Sequence, residues 1–147
     1  MTNGSGGPRI YNRSMSLTED LVRTLERTSG VRLAVVFGSA ARGTARSRSD
    51  VDIAVLLDND EGLPALSVAL ERVTGRSVDL ISLRKAPPLL RFEIAREGRP
   101  LVERDPHAWV EFRAHAMIDW WDWAQTARIM HNTMRARLDE EARRGST

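Results

Sequence analysis

The chain has 147 residues, the size of one ordinary domain, so we expect no separate substrate-binding domain. Its composition, 41% hydrophobic and 29% charged, is that of a globular protein, and no apolar run approaches the roughly 20 residues of a membrane helix. The net charge of +2 does not demand a nucleic-acid partner. The absence of cysteine excludes disulfides, thiolate zinc sites and a cysteine nucleophile, which leaves oxygen ligands for a hard cation such as Mg²⁺.

The first half of the chain alternates helix and strand signals. Residues 1–15 lack the apolar stretch of a secretion signal, so we expect a flexible tail on a cytoplasmic protein. Ser16 and Glu19 have capping-box spacing, which predicts a helix over 16–29 with Gly30 as its stop. Apolar runs rich in β-branched residues predict strands at 31–37 and 51–57.

The second half continues the alternation. Pro64 and Gly75 frame a helix over 64–74, a third strand is predicted at 77–83, and prolines 87 and 88 with Gly98 frame another helix. A short extended segment, PLVE, precedes a long helix that begins near Pro106. These elements predict an α/β (α+β) fold with a small mixed sheet flanked by helices. We expect one folded domain to span 16–105, and the helical region 106–147 to pack on it, on a partner, or on both.

Apolar residues recur along the long helix at steps of three and four, which predicts one apolar stripe. Its members are Trp109, Phe112, Ala116, Trp120, Trp123, Ala127, Met130, Met134 and Leu138. Trp120, Trp121 and Trp123 cannot all face the same side of a helix, so we expect part of this aromatic surface to be exposed and to dock a partner or a second copy of the chain. The alternative is that the helix folds back over the sheet.

Two aspartates lie one residue apart at the start of the second predicted strand. Asp50 and Asp52 should project from the same face, about 6 to 7 Å apart. Like charges at this distance repel each other unless a cation lies between them, and a pair of Mg²⁺ ions is the arrangement that catalyses displacement at phosphorus. Asp79, in the third strand, is either the partner of an arginine or a third carboxylate of the same site.

A glycine and a serine follow the first predicted strand. The absence of a Cβ at Gly38 would let the backbone approach a phosphate, and the Ser39 hydroxyl adds a donor. The alternative is a plain turn from strand to helix. A P-loop is excluded, because Thr44 and Ala45 stand where that motif needs lysine and a hydroxyl residue.

Taken together, these motifs resemble the nucleotidyltransferases related to DNA polymerase β, and more narrowly the minimal nucleotidyltransferase (MNT) antitoxins of HEPN/MNT toxin-antitoxin pairs. The stretches that carry the resemblance are FGSAARG, SDVDIAVLL, VDLISLRKAPPLLRFEIAREGRPLVERDP and the segment near WWDW. The resemblance implies the DNA polymerase β-like fold with a long C-terminal helix, and the transfer of AMP from ATP to a tyrosine of a HEPN ribonuclease toxin.

The resemblance also implies roles for individual residues. Asp50 and Asp52 would bind two Mg²⁺ ions, and Asp79 would bind one of them and activate the acceptor. The implied nucleotide-binding residues are Gly38, Ser39, Arg42, Gly43 and Ser49. A HEPN toxin is the implied partner, in a homo-oligomer or hetero-oligomer, without a membrane and without a need for direct nucleic-acid binding. Two alternatives stay open: a small-molecule nucleotidyltransferase of the aminoglycoside type, and a non-catalytic antitoxin that acts by binding alone.

Overall fold

The structure, a computed structural model, describes residues 13–43 and 50–145. Five helices and four strands span these residues, with a short 3-10 turn at Asp60–Gly62. The strands are β1 (Val31–Phe37), β2 (Val51–Leu57), β3 (Val78–Ser82) and β4 (Arg99–Glu103). The helices are α1 (Arg13–Arg27), α2 (Gly38–Arg42), α3 (Leu63–Thr74), α4 (Pro88–Glu97) and α5 (Ala108–Arg144).

The four strands form one sheet in the order β3-β2-β1-β4. β1 is antiparallel to both β2 and β4, whereas β2 and β3 are parallel and are joined through α3. This arrangement confirms the small mixed sheet predicted from the sequence. The segment PLVE, predicted only as extended, belongs to a strand, β4, which pairs with β1 at the edge of the sheet.

Helices cover both faces of the sheet. Val51, Ile53 and Val55 pack in a core formed with α1 and α3, whereas Ala54 packs in a second core formed with α4 and the start of α5. Because side chains alternate along a strand, Asp52 points to the same face as Ala54. The site therefore lies on the α4 side of the sheet.

The first helix differs from its prediction. It runs from Arg13 to Arg27, so Ser16 lies inside the helix and is not its N-cap, and residues 13–15 are helical rather than part of a tail. Nothing in the preceding turn opposes the extension, because residues 13–15 include neither proline nor glycine. Residues 1–12, the rest of the predicted tail, lie outside the described residues.

The long helix leaves the domain part-way along its length. Phe112 and Ala116 are buried and Trp120 stacks on Phe92 of α4, but Met130 and Met134 are each 68% exposed. A helix of 37 residues is about 55 Å long, whereas a strand of seven residues spans only about 23 Å, so the sheet cannot cover it. The predicted stripe packs on its own domain only as far as Trp120. No helix among the described residues has the length and apolarity needed to cross a membrane.

Candidate active site

The register of the sheet brings three of the predicted site residues to one end of it. Asp52 of β2 lies opposite Phe37, the last residue of β1, and on its other side lies opposite Asp79 of β3. Gly38 follows Phe37 directly. Paired residues of neighbouring strands share a face of the sheet, so the carboxylates of Asp52 and Asp79 lie side by side, next to the turn at Gly38.

Gly38 is required at this turn for two reasons. Its φ is +68°, in the left-handed region that residues with a side chain rarely adopt. A Cβ at this position would also lie less than 3.0 Å from Oδ2 of Asp52, closer than real Cβ atoms approach any atom. The glycine thus keeps open the space in front of the Asp52 carboxylate. Ser39, the next residue, is half-buried in α2.

Asp50 and Asp79 are close enough to Asp52 to affect its ionisation. Asp50 and Asp79 are exposed, and Asp52 is half-buried between them. Burial raises the pKa of Asp52, the negative charges of Asp79 and Asp50 raise it further, and the nearby Arg42 opposes the rise. Asp52 is therefore the carboxylate for which a bound cation would relieve the most repulsion.

Asp52 and Asp79 open into a cleft of about 430 Å³ between the sheet and α4, whereas Asp50 is not among the residues that line it. It is lined by Phe37, Gly38, Arg42, Asp52, Asp79, Ile81, Leu90, Glu93, Arg96 and Glu97. No sequence motif predicted a role for Glu93, Arg96 or Glu97. The sequence did contain a signal for this lining. Leu90, Glu93 and Glu97 recur at steps of three and four, so they share one face of a helix.

Comparison with known proteins identifies the family. Residues 19–107 match the family model described as "Polymerase beta, Nucleotidyltransferase". The chain belongs to the polymerase beta nucleotidyltransferases. The matched residues include both strands that carry the aspartates and the turn at Gly38, and the resemblance noted in the sequence is confirmed.

Relatives and similar structures agree with this assignment to the polymerase beta nucleotidyltransferases. Protein adenylyltransferase MntA of Aphanizomenon flos-aquae is 24% identical over 115 residues, which cover 69% of this chain and 77% of that protein. A crystal structure of a toxin-antitoxin with AMP-PNP has a TM-score of 0.67 at 24% identity, covering 80% of this chain and 98% of that one. A structure of the tri-AMPylated Shewanella oneidensis HEPN toxin in complex with an MNT antitoxin has a TM-score of 0.63 at 21% identity, covering 82% and 98%. At these identities the two structures show a shared fold.

Two predicted nucleotide-binding residues, Ser39 and Gly43, are not among the residues that line the cleft. Gly43 is exposed, ends α2 with a φ of +71° and is not among the residues that line the cleft. Its conformation is that of an ordinary helix C-terminus. Ser49 lies outside the described residues. Arg42 does line the cleft, where its guanidinium contacts Glu97.

The fit of this nucleotidyltransferase site to Mg²⁺ rests on donor chemistry and on charge. Carboxylates are the ligands that Mg²⁺ prefers in proteins, and Asp52 pairs with Asp79 at one end of the sheet, with Asp50 directly before β2. Within residues 13–43 and 50–145, however, no three Asp, Glu, His or Cys side chains are gathered into a group that could hold a metal ion. The donors therefore fit the ion in type, but the described side chains do not form a closed ligand cluster.

Proposed function

We propose that this nucleotidyltransferase is a cytoplasmic antitoxin that transfers AMP from ATP to a tyrosine hydroxyl of a HEPN ribonuclease toxin and thereby neutralises it. The observation that carries the proposal is the placement of Asp52 beside Asp79 and against Gly38, at the open end of a cleft. The adenylyltransferase name of the MntA relative and the toxin-antitoxin complexes among the similar structures support the choice of acceptor.

In the proposed site, residues on one side of the cleft bind the triphosphate and residues on the other side bind the metal ions. On the β1 side, Gly38 leaves room for the triphosphate and Ser39 adds a hydroxyl donor at the start of α2. On the β2 and β3 side, Asp50, Asp52 and Asp79 would hold two Mg²⁺ ions, which neutralise phosphate charge and align the reacting groups when bound. The Arg42 guanidinium faces the same cleft and would contribute positive charge to phosphate binding.

Asp79 would receive the proton of the acceptor. In the proposed reaction the phenolic oxygen forms a bond to the α-phosphorus of ATP, the bond from that phosphorus to the bridging oxygen breaks, and pyrophosphate leaves. The phenolic proton passes to the Asp79 carboxylate. Asp79 is exposed, so a tyrosine delivered by a second macromolecule can reach it.

The projecting part of α5 provides the surface for that macromolecule. Trp121 is 66% exposed and Trp123 is 50% exposed, just beyond Trp120, where the helix leaves the domain. Exposed tryptophans are the residues most enriched at binding hot spots. We propose that this segment docks the HEPN toxin, with pairing between copies of this chain as the other use of the same surface.

Labelled ATP tests the proposed reaction. The protein is incubated with its HEPN partner, Mg²⁺ and ATP labelled at either the α or the γ phosphate. We expect α label, and no γ label, on a tyrosine of the partner. Label from the γ phosphate would indicate a kinase. No label on the partner, together with label on an aminoglycoside, would favour the small-molecule enzyme, and inhibition of the toxin without any label would favour an antitoxin that acts by binding alone.

A further inference from the structure

One carboxylate on the α4 wall of the cleft contacts two arginines at once. Nη1 of Arg42 lies 3.3 Å from Oε2 of Glu97, and Nη2 of Arg96 lies 3.0 Å from Oε1 of the same residue. Arg42 is the last residue of α2, whereas Arg96 and Glu97 lie in the last turn of α4. Glu97 therefore connects α4 with α2 through its contact with Arg42.

The charges in the cleft make these arginines important for an anionic substrate. Four carboxylates and two guanidinium groups line it, so its own charge is negative. The carboxylates repel a triphosphate, and the guanidinium groups of Arg42 and Arg96 are the lining groups that attract it. Arginine also matches phosphate geometry with its planar fork of donors.

Both arginine side chains are flexible and more than half exposed, at 55% and 59%. A free arginine loses rotamer freedom when it binds a ligand, and a side chain that is already held loses less. We propose that Glu97 is a positioning residue that holds Arg42 and Arg96 side by side, so that both can donate to the triphosphate of ATP. This inference rests on the proposed function and specifies how the same site recognises its substrate.

Electrostatic repulsion and positioning predict opposite effects of removing the Glu97 charge, so the proposal can be tested. Replacing Glu97 by glutamine removes a negative charge from the cleft, and simple electrostatics then predicts tighter binding of an anion. If Glu97 positions the two arginines, the same substitution should weaken binding of the anion. Glu93 supplies the matched control, because it lines the same cleft one turn earlier on α4 and forms no salt bridge with any described residue.

The experiment measures AMP-PNP binding with Mg²⁺ by calorimetry for the wild-type protein, Glu97→Gln and Glu93→Gln. We expect the Kd of Glu97→Gln to rise about tenfold, because Arg42 and Arg96 would no longer be held in place before the ligand binds. We expect Glu93→Gln to bind no more weakly than the wild type. In transfer assays, the KM of Glu97→Gln for ATP should rise while its kcat changes less than about threefold, and Glu97→Asp should restore part of the affinity.

Two results would overturn the inference: equal or tighter binding by Glu97→Gln, or equal weakening by both glutamine variants. Circular dichroism of each variant confirms that it is folded before binding is measured. If the wild-type protein neither binds AMP-PNP nor transfers AMP, the proposed function fails along with the inference. If the wild type does both and Glu97→Gln behaves like it, only the inference fails.

Discussion

Gly38 and Gly30 lie at opposite ends of β1 and offer a matched pair of substitutions. Both have positive φ, +68° and +86°. A Cβ at Gly30 would lie 3.7 Å from Oδ2 of Asp58, an ordinary contact, whereas a Cβ at Gly38 would lie less than 3.0 Å from Oδ2 of Asp52. Alanine therefore introduces the same kind of backbone strain at both ends, but displaces a site carboxylate at only one end.

The two alanine variants should lose similar amounts of stability but very different amounts of activity. The left-handed conformation costs a residue with a side chain about 1 to 2 kcal/mol, so Gly30→Ala and Gly38→Ala should both lower the free energy of unfolding by about that amount. A displacement of about 1 Å in a reacting group can lower the rate about 100-fold. We therefore expect AMP transfer to fall about 100-fold in Gly38→Ala and to change less than about threefold in Gly30→Ala.

Chemical denaturation and a single-turnover transfer assay measure the two effects on the same preparations. Transfer should be measured well below the melting temperature of each variant, so that loss of folded protein does not contribute. If the two variants lost activity equally, the contact between Gly38 and Asp52 would have no special role. If Gly38→Ala kept full activity, the space in front of Asp52 would not be part of the site.

Three further predictions concern the aspartates and α5. Asp50→Asn and Asp52→Asn should each abolish transfer and leave the melting temperature equal or higher, because each removes one of several repelling charges; transfer that persists in both variants with Mg²⁺ would contradict the metal assignment. Since the pKa of Asp52 is raised above its ordinary 3.8, the folded protein holds this proton more tightly than the unfolded chain does, and ionisation costs stability as the pH rises through the raised pKa. The melting temperature of Asp52→Asn should therefore match that of the wild type below about pH 4 and exceed it increasingly above that pH; a constant difference in a pH series would refute this origin of the shift. Trp121→Ala should weaken binding to the HEPN partner by about 2 kcal/mol, roughly 30-fold, with little change in melting temperature; unchanged affinity in a titration, beside a large fall in melting temperature, would assign Trp121 to the core.

The sequence predicted the strands well because their signals are local. β1 and β2 begin and end where the apolar runs begin and end, at 31–37 and 51–57. The alternation of side chains then placed Asp52 on the face opposite to Val51 and Ile53. Asp79 was a candidate from the sequence alone, as a charge in an apolar strand, but its pairing with Asp52 depends on the register between β2 and β3, which local patterns do not determine.

Features that depend on packing were harder to predict. Periodic apolar residues on α5 look the same whether or not a neighbour covers them, so the pattern did not show that burial ends near Trp120. The residues of α4 that line the cleft were not predicted, for a related reason. Glu93 and Glu97 resemble an ordinary solvent-exposed helix face until α4 is placed over the sheet, opposite the aspartates. The start of α1 was mispredicted because a capping-box pattern also occurs inside helices.

The intact mass of the HEPN partner tests the central claim most directly. The partner is incubated with Mg²⁺ and ATP, either with the wild-type protein or with Asp52→Asn, and is then measured by mass spectrometry alongside its ribonuclease activity. The account predicts that the wild-type protein adds whole AMP units to a tyrosine and silences the ribonuclease, whereas Asp52→Asn adds none and leaves the ribonuclease active. A partner that is silenced by both proteins without any change in mass would contradict it.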